Sequence, residues 1–85
     1  MNVEIYTKDD CAYCMMAKQL MAVNNIQYVE HKLHHHFSRG QLQEKFPEAK
    51  SFPIIVLDGF YIGGYTHLKS YLDEQVASNK TLLNE

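Results

Sequence analysis

Two cysteines stand three positions apart in Cys11-Ala12-Tyr13-Cys14, and the chain contains no others. Such a pair can pass between dithiol and disulfide within one helical turn. The thiolate, not the thiol, attacks a disulfide sulfur. At the mouth of a helix, unpaired backbone N–H groups favour the ionised form of a thiol placed there. The spacing therefore points to thiol–disulfide exchange. Cys11, ahead of the helix, is the more exposed attacker, and Cys14, one turn in, is the resolving thiol. Lys8, three residues upstream, adds local positive charge. The same spacing also fits two core cysteines or half of a zinc site, and the pair alone leaves these readings open. A zinc site needs four ligands, yet no second cysteine pair exists. His34-His35-His36 departs from the usual spacing of zinc-binding histidines, so the triplet reads as a solvated loop and no metal is expected.

Two further segments could shape a ligand groove. Proline in Phe52-Pro53 begins a strand, where it removes no ladder donor. On spacing alone the bond is expected to be trans. A cis bond beside Cys11 would turn the preceding backbone N–H and C=O outward, towards an extended ligand. Gly63-Gly64 precedes a capped helix. Small residues there permit close approach, and the helix start offers N–H groups to a carboxylate; a plain strand-to-helix turn is the alternative. Tyr13, between the cysteines, is expected to be exposed and to border a groove.

These residues need elements to position them. Val3, Ile5 and Tyr6 open a short strand, and Thr7 to Asp10 is turn-like. From Cys14 the pattern becomes helical through Ala17, Leu20 and Met21, and Asn24-Asn25 is a stop signal. Ile26 to Glu30 reads as a second strand, completing a βαβ unit with a parallel pair and a right-handed crossover. Ser38 caps a short helix through Gln41, Leu42, Lys45 and Phe46, ended by Pro47. Phe52 to Leu57 is strand-like after Pro53, Asp58-Gly59 turns it, and Phe60 to Ile62 returns antiparallel. Thr66 caps a last helix carrying Leu68, Tyr71, Leu72 and Val76 on one face. Residues 78–85 read as a loose tail in which Leu82 and Leu83 fold back. The order is β-α-β-α-β-β-α in one α/β domain over residues 1–85.

The 85 residues carry a net charge of −2, with 46% hydrophobic and 21% charged residues. This is a globular composition without the basic excess that nucleic acid demands. No apolar run has bilayer-spanning length, so no membrane is expected as partner. The opening residues lack the pattern of a signal peptide, which points to a reducing, cytoplasmic setting.

The segments Thr7-Lys8-Asp9-Asp10-Cys11-Ala12-Tyr13-Cys14, Ser51-Phe52-Pro53 and Ile62-Gly63-Gly64-Tyr65-Thr66 together resemble the glutaredoxin family, and Asn2 to Lys8 resembles its small bacterial dithiol members. The resemblance covers about residues 2–76. It implies a thioredoxin-like fold, a four-stranded mixed sheet flanked by three helices. It also implies a monomer that holds no cofactor and takes glutathione as co-substrate. Its substrates would be protein disulfides and glutathionylated proteins, with a ribonucleotide reductase as a family-level expectation. Cys11 is then the nucleophile, Cys14 resolves, and the two form the redox-active disulfide. Lys8 and Tyr13 border the glutathione groove, and Phe52 pairs its backbone with the cysteinyl part of glutathione beside a cis Pro53. Gly64, Tyr65 and Thr66 receive the γ-glutamyl carboxylate.

Three positions depart from the family pattern. Ala12 replaces a frequent proline, removing a φ constraint. In some relatives a small residue there accompanies a glutathione-ligated [2Fe–2S] cluster, so a cluster carrier is one alternative function. His67 replaces an acid that can pair with the glutathione amino group, and Ile54 replaces a polar residue after the proline. A thioredoxin-type reductant is the other alternative, although the tryptophan of its typical motif is missing.

Overall fold

In the computed structural model, residues 2–83 are described; for residues 75–83 this covers the backbone alone. The element order is β1 (Val3–Thr7), α1 (Ala12–Val23), β2 (Val29–Lys32), α2 (Arg39–Lys45), β3 (Ile54–Leu57), β4 (Phe60–Gly63) and α3 (Tyr65–Leu83). The strands form one mixed sheet in the order β2-β1-β3-β4. β1 pairs parallel with β2 and antiparallel with β3, and β3 pairs antiparallel with β4.

Alternation along the central strands builds two cores. Val3, Ile5, Ile55 and Leu57 face Ala17 and Met21 of α1 and Leu68 and Leu72 of α3. Tyr6, Ile54 and Val56 face the opposite side, where Phe46, Phe37 and Leu42 from the α2 region cover them. All four residues of β3 are buried because helices cover both faces of this strand. Each such aliphatic side chain removed from water contributes roughly 1.5–3 kcal/mol. Short polar motifs close the elements. Ser38 and Gln41 form a reciprocal capping box at the start of α2. Asp58 and Gly59, with φ of 49° and 86°, make the two-residue turn whose twist suits a hairpin.

The starts of three elements differ from the sequence reading. α1 begins at Ala12, two residues earlier, because Cys11 itself caps it. β2 begins at Val29 rather than Ile26. The reason lies at the end of α1. Asn25 adopts a left-handed φ of 58°, its N–H reaches Ala22 O at 3.1 Å, and Ile26 N–H reaches Met21 O at 2.8 Å. This helix-closing motif uses Ile26 to anchor the turn against the core, and pairing starts only beyond it. α3 begins at Tyr65, so Thr66 lies inside the first turn, and Gly64 O accepts the Leu68 N–H at 3.1 Å. The backbone of α3 continues through Leu83. The expected placements of Val76, Leu82 and Leu83 side chains lie outside the described residues. The histidine triplet forms an exposed turn. Among the described residues no three His, Cys, Asp or Glu converge as a metal site, and no helix is long and apolar enough to cross a membrane.

The end of β1 is pinned where it leaves the sheet. Buried Thr7 donates its hydroxyl to Glu30 Oε2 at 2.6 Å, and Lys18 Nζ of α1 reaches the same oxygen at 3.1 Å. The Thr7 hydrogen bond, aided by the Lys18 ammonium, holds the Glu30 carboxyl below its ordinary value of 4.5. A carboxyl lowered by folding contributes stability above its unfolded value, and that contribution disappears as pH falls through the folded value. Glu30→Gln is therefore expected to lower the urea midpoint at neutral pH, by about 1 kcal/mol of stability. It should also flatten the acid limb of the stability–pH curve below the ordinary carboxylate value. An acid limb identical to that of the parent would contradict this role.

Candidate active site

β1 delivers the chain to a tight turn in which Asp10 has φ of 54°, and the next residue, Cys11, is the N-cap of α1. Cys11 Sγ accepts the backbone N–H of Cys14 at 3.1 Å. A sulfur here takes the place of the hydroxyl or carboxylate oxygen that usually satisfies a free N–H at a helix start. Cys11 and Cys14 are joined as a disulfide, with Cα atoms 5.2 Å apart. Cys11 is 9% exposed and Cys14 2%, so Cys11 is the less buried of the pair. The preceding turn is anchored from β2 by Lys32 Nζ on Asp9 Oδ1 at 2.8 Å. This contact, a hydrogen bond first and charge attraction second, lowers the Asp9 carboxyl and raises the Lys32 ammonium from their ordinary values.

The antiparallel register sets Tyr6 opposite Ile54, so the Cys11 turn and the residues preceding β3 meet at one end of the sheet. The Phe52-Pro53 bond is cis, against the trans bond expected from spacing alone and as the family resemblance implied. Gly64 lies so close to this turn that an added Cβ would stand 3.3 Å from Pro53 O. Its lack of a side chain thus lets the start of α3 approach the proline.

A cleft of about 360 Å³ follows from this packing, and it gathers Tyr13, Phe52, Pro53, Gly64, Tyr65 and Thr66. Tyr13 is exposed, and its ring lies 5.9 Å from that of Tyr65. Six of the seven expected glutathione-binding residues therefore share one wall-to-wall site. Lys8 does not line it. Its Nζ sits 5.6 Å from the centre of the Phe52 ring, in a neighbouring groove of about 840 Å³ that also reaches Cys11. Tyr13, Lys50, Ser51 and Phe52 line both spaces and form the boundary between them.

His67 belongs to the smaller cleft, and its Nδ1 accepts the Gly64 N–H at 3.3 Å. The sequence reading set this imidazole against the glutathione amino group; the structure turns it back onto its own helix start. Arg39, Gln43 and Lys50 of the larger groove were missed. Lys50 lies two residues before Phe52, and that proximity was the available signal; Arg39 and Gln43 reach the groove only through the packing of α2.

The family profile described as Glutaredoxin matches residues 3–62. The chain belongs to the glutaredoxin family. It is 33% identical to Glutaredoxin 3 of Escherichia coli strain K12 over 63 residues, covering 74% of this chain and 76% of that protein. Among solved structures, Glutaredoxin 1 from Francisella tularensis, complexed with cacodylate, superposes with a TM-score of 0.76 at 30% identity. That match covers 89% of this chain and 96% of the other. The solution structure of glutaredoxin from Brucella melitensis gives 0.68 at 28% identity, covering 93% and 86%. The expected thioredoxin-like fold, a four-stranded mixed sheet with three helices, is the fold of this chain.

In this glutaredoxin the end of β4 also needs bare backbone, at Gly63. Gly63 has φ of 124°, and an added Cβ would run into the His67 ring. Gly63→Ala is expected to cost about 1–3 kcal/mol in urea denaturation. The loss should shrink in a His67→Ala background, where the obstructing ring is gone. An equal loss in both backgrounds would show that the His67 contact contributes nothing.

Proposed function

We propose that this glutaredoxin is a glutathione-dependent thiol–disulfide oxidoreductase that reduces protein disulfides and glutathione mixed disulfides. The observation that carries the reading is the Cys11 sulfur at the start of α1, holding the Cys14 N–H at 3.1 Å with its resolving partner one turn away. In the reduced protein the same N–H and the helix start favour a thiolate at Cys11. A hydrogen bond to a charged group contributes about 1.5–3 kcal/mol, more than the roughly 0.3–1 kcal/mol from the helix dipole.

With a glutathionylated protein, the Cys11 thiolate attacks the glutathione sulfur. The S–S bond breaks, the protein leaves as thiolate and takes a proton from water, and Cys11 carries glutathione. The thiolate of a free glutathione then attacks that adduct, releasing glutathione disulfide and the Cys11 thiolate. With a protein disulfide, Cys11 forms a mixed disulfide with the substrate. Cys14 displaces the remaining substrate thiol and closes the Cys11–Cys14 disulfide, and two glutathiones reopen it. The protein-disulfide cycle passes two electrons from two glutathiones to one disulfide, whereas deglutathionylation consumes one free glutathione and ends in glutathione disulfide.

In this reading glutathione lies in the 360 Å³ cleft and its sulfur reaches past Tyr13 and Phe52 to Cys11, which lines the larger groove. Phe52 offers its backbone to the cysteinyl part beside cis Pro53, and Tyr13 closes one side. Since His67 engages the Gly64 N–H, the γ-glutamyl carboxylate falls to the N–H groups of Tyr65 and Thr66 and the Thr66 hydroxyl. Lys8 acts from across the Phe52 ring. The protein works as a monomer without a resident cofactor, in the reducing cytoplasm that supplies glutathione.

Glutathione-coupled reduction of a small mixed disulfide and of a peptide disulfide provides the test. Cys11→Ser is expected to abolish both activities. Cys14→Ser should lose reduction of the peptide disulfide and retain deglutathionylation. Full activity in Cys11→Ser would overturn the assignment.

A further inference from the structure

The proton state of His67 decides what its ring offers at the start of α3. The ring is exposed and lines the smaller cleft with Gly64, Tyr65 and Thr66. Its Nδ1 accepts the Gly64 N–H at 3.3 Å, which needs a lone pair on that nitrogen and assigns the neutral ring's one proton to Nε2. Bare backbone admits the ring this closely, since an added Cβ at buried Gly63 would run into it. An imidazolium has no lone pair, and both of its nitrogens donate. Nδ1–H and the Gly64 N–H then face one another as two donors without an acceptor. An anion that accepts from both resolves the conflict. The first turn of α3 carries no acidic side chain that could serve.

We propose that His67 is a proton-dependent specificity residue. Protonated, it joins the Gly64 N–H in a two-donor receptor for a carboxylate, and glutathione binds more tightly through its γ-glutamyl carboxylate as pH falls through the imidazole range. Neutral, it occupies the Gly64 N–H and leaves the carboxylate to Tyr65 and Thr66. The proposal rests on the glutathione reading above and adds the regulation of that site. The γ-glutamyl end also carries an ammonium, but the converging N–H groups select its carboxylate. Binding and protonation favour each other reciprocally, so glutathione binding draws a proton onto the ring. The other titratable or charged groups facing the ring are Tyr13 of α1, Glu48 and Lys50 ahead of β3, Tyr61 of β4 and Tyr65 of α3, with Tyr71 one turn further along α3. Carboxylates, ammonium groups and phenols ordinarily keep one state between about pH 5.5 and 7.5, where imidazole changes charge.

Calorimetric titration of the oxidised protein with S-methylglutathione, which has no thiol to ionise, tests the proposal. The parent is expected to bind it about tenfold more tightly at about pH 5.5 than at about pH 7.5. His67→Gln keeps an acceptor for the Gly64 N–H but cannot gain a proton, so its affinity should agree at the two pH values within about twofold. The Gly64 amide proton in the NMR spectrum of the free protein gives a second readout that needs no ligand. Its shift should follow the protonation of the His67 ring in the parent and stay constant in His67→Gln. Equal affinity of the parent at both pH values would overturn the proposal and leave the glutathione reading standing. The same pH dependence in His67→Gln, or a Gly64 shift that ignores pH in the parent, would also overturn it. Binding at neither pH would overturn the proposal and the glutathione reading together.

Discussion

The 3.1 Å contact between Cys11 Sγ and the Cys14 N–H is the constraint from which the rest of the site follows. A helix start must satisfy its free N–H groups, and here it does so with a sulfur of the cysteine pair. The cap sets the sulfur's position and places Cys14 one turn away. Holding it requires that the entering chain be fixed. Thr7 on Glu30, Lys32 on Asp9 and the left-handed turn at Asp10 provide this from three sides. All of these contacts are local to the junction of β1, β2 and α1.

Sheet topology brings the distant parts to the same place. β1 and β3 are adjacent and antiparallel, so the chain leaving β1 at the cysteines lies beside the chain entering β3 at Pro53. β4 follows through a two-residue turn and returns to that end, where Gly63-Gly64 starts α3 against the proline. Residues separated by some forty to fifty positions thus form two spaces on either side of the boundary through Tyr13 and Phe52. The smaller is lined by backbone and aromatic rings, and the larger carries Lys8 and Arg39 beside Cys11.

The legible parts of the sequence were those governed by local rules. Asp58-Gly59, Asn24-Asn25 and Ser38 each met the role expected of them, because turn and cap geometry depend on a few neighbouring residues. The second strand shifted because Ile26 and Tyr28, though strand-like in type, are used as core anchors outside the ladder. Thr66 is a good capping residue in isolation, yet the close approach of Gly64 to Pro53 sets where α3 begins. The cis bond was legible only through the family resemblance. The larger groove was not legible, since Arg39 and Lys50 become neighbours of Lys8 only after α2 packs on the sheet.

The account stands on an activated thiolate at Cys11, and alkylation of the reduced protein tests this most directly. In Cys14→Ser protein near neutral pH, Cys11 is expected to react with iodoacetamide at least about tenfold faster than the thiol of free glutathione, the factor that one charge-assisted hydrogen bond supplies. A rate equal to or below that of glutathione would contradict the account, because the cap would then hold the sulfur in place without activating it.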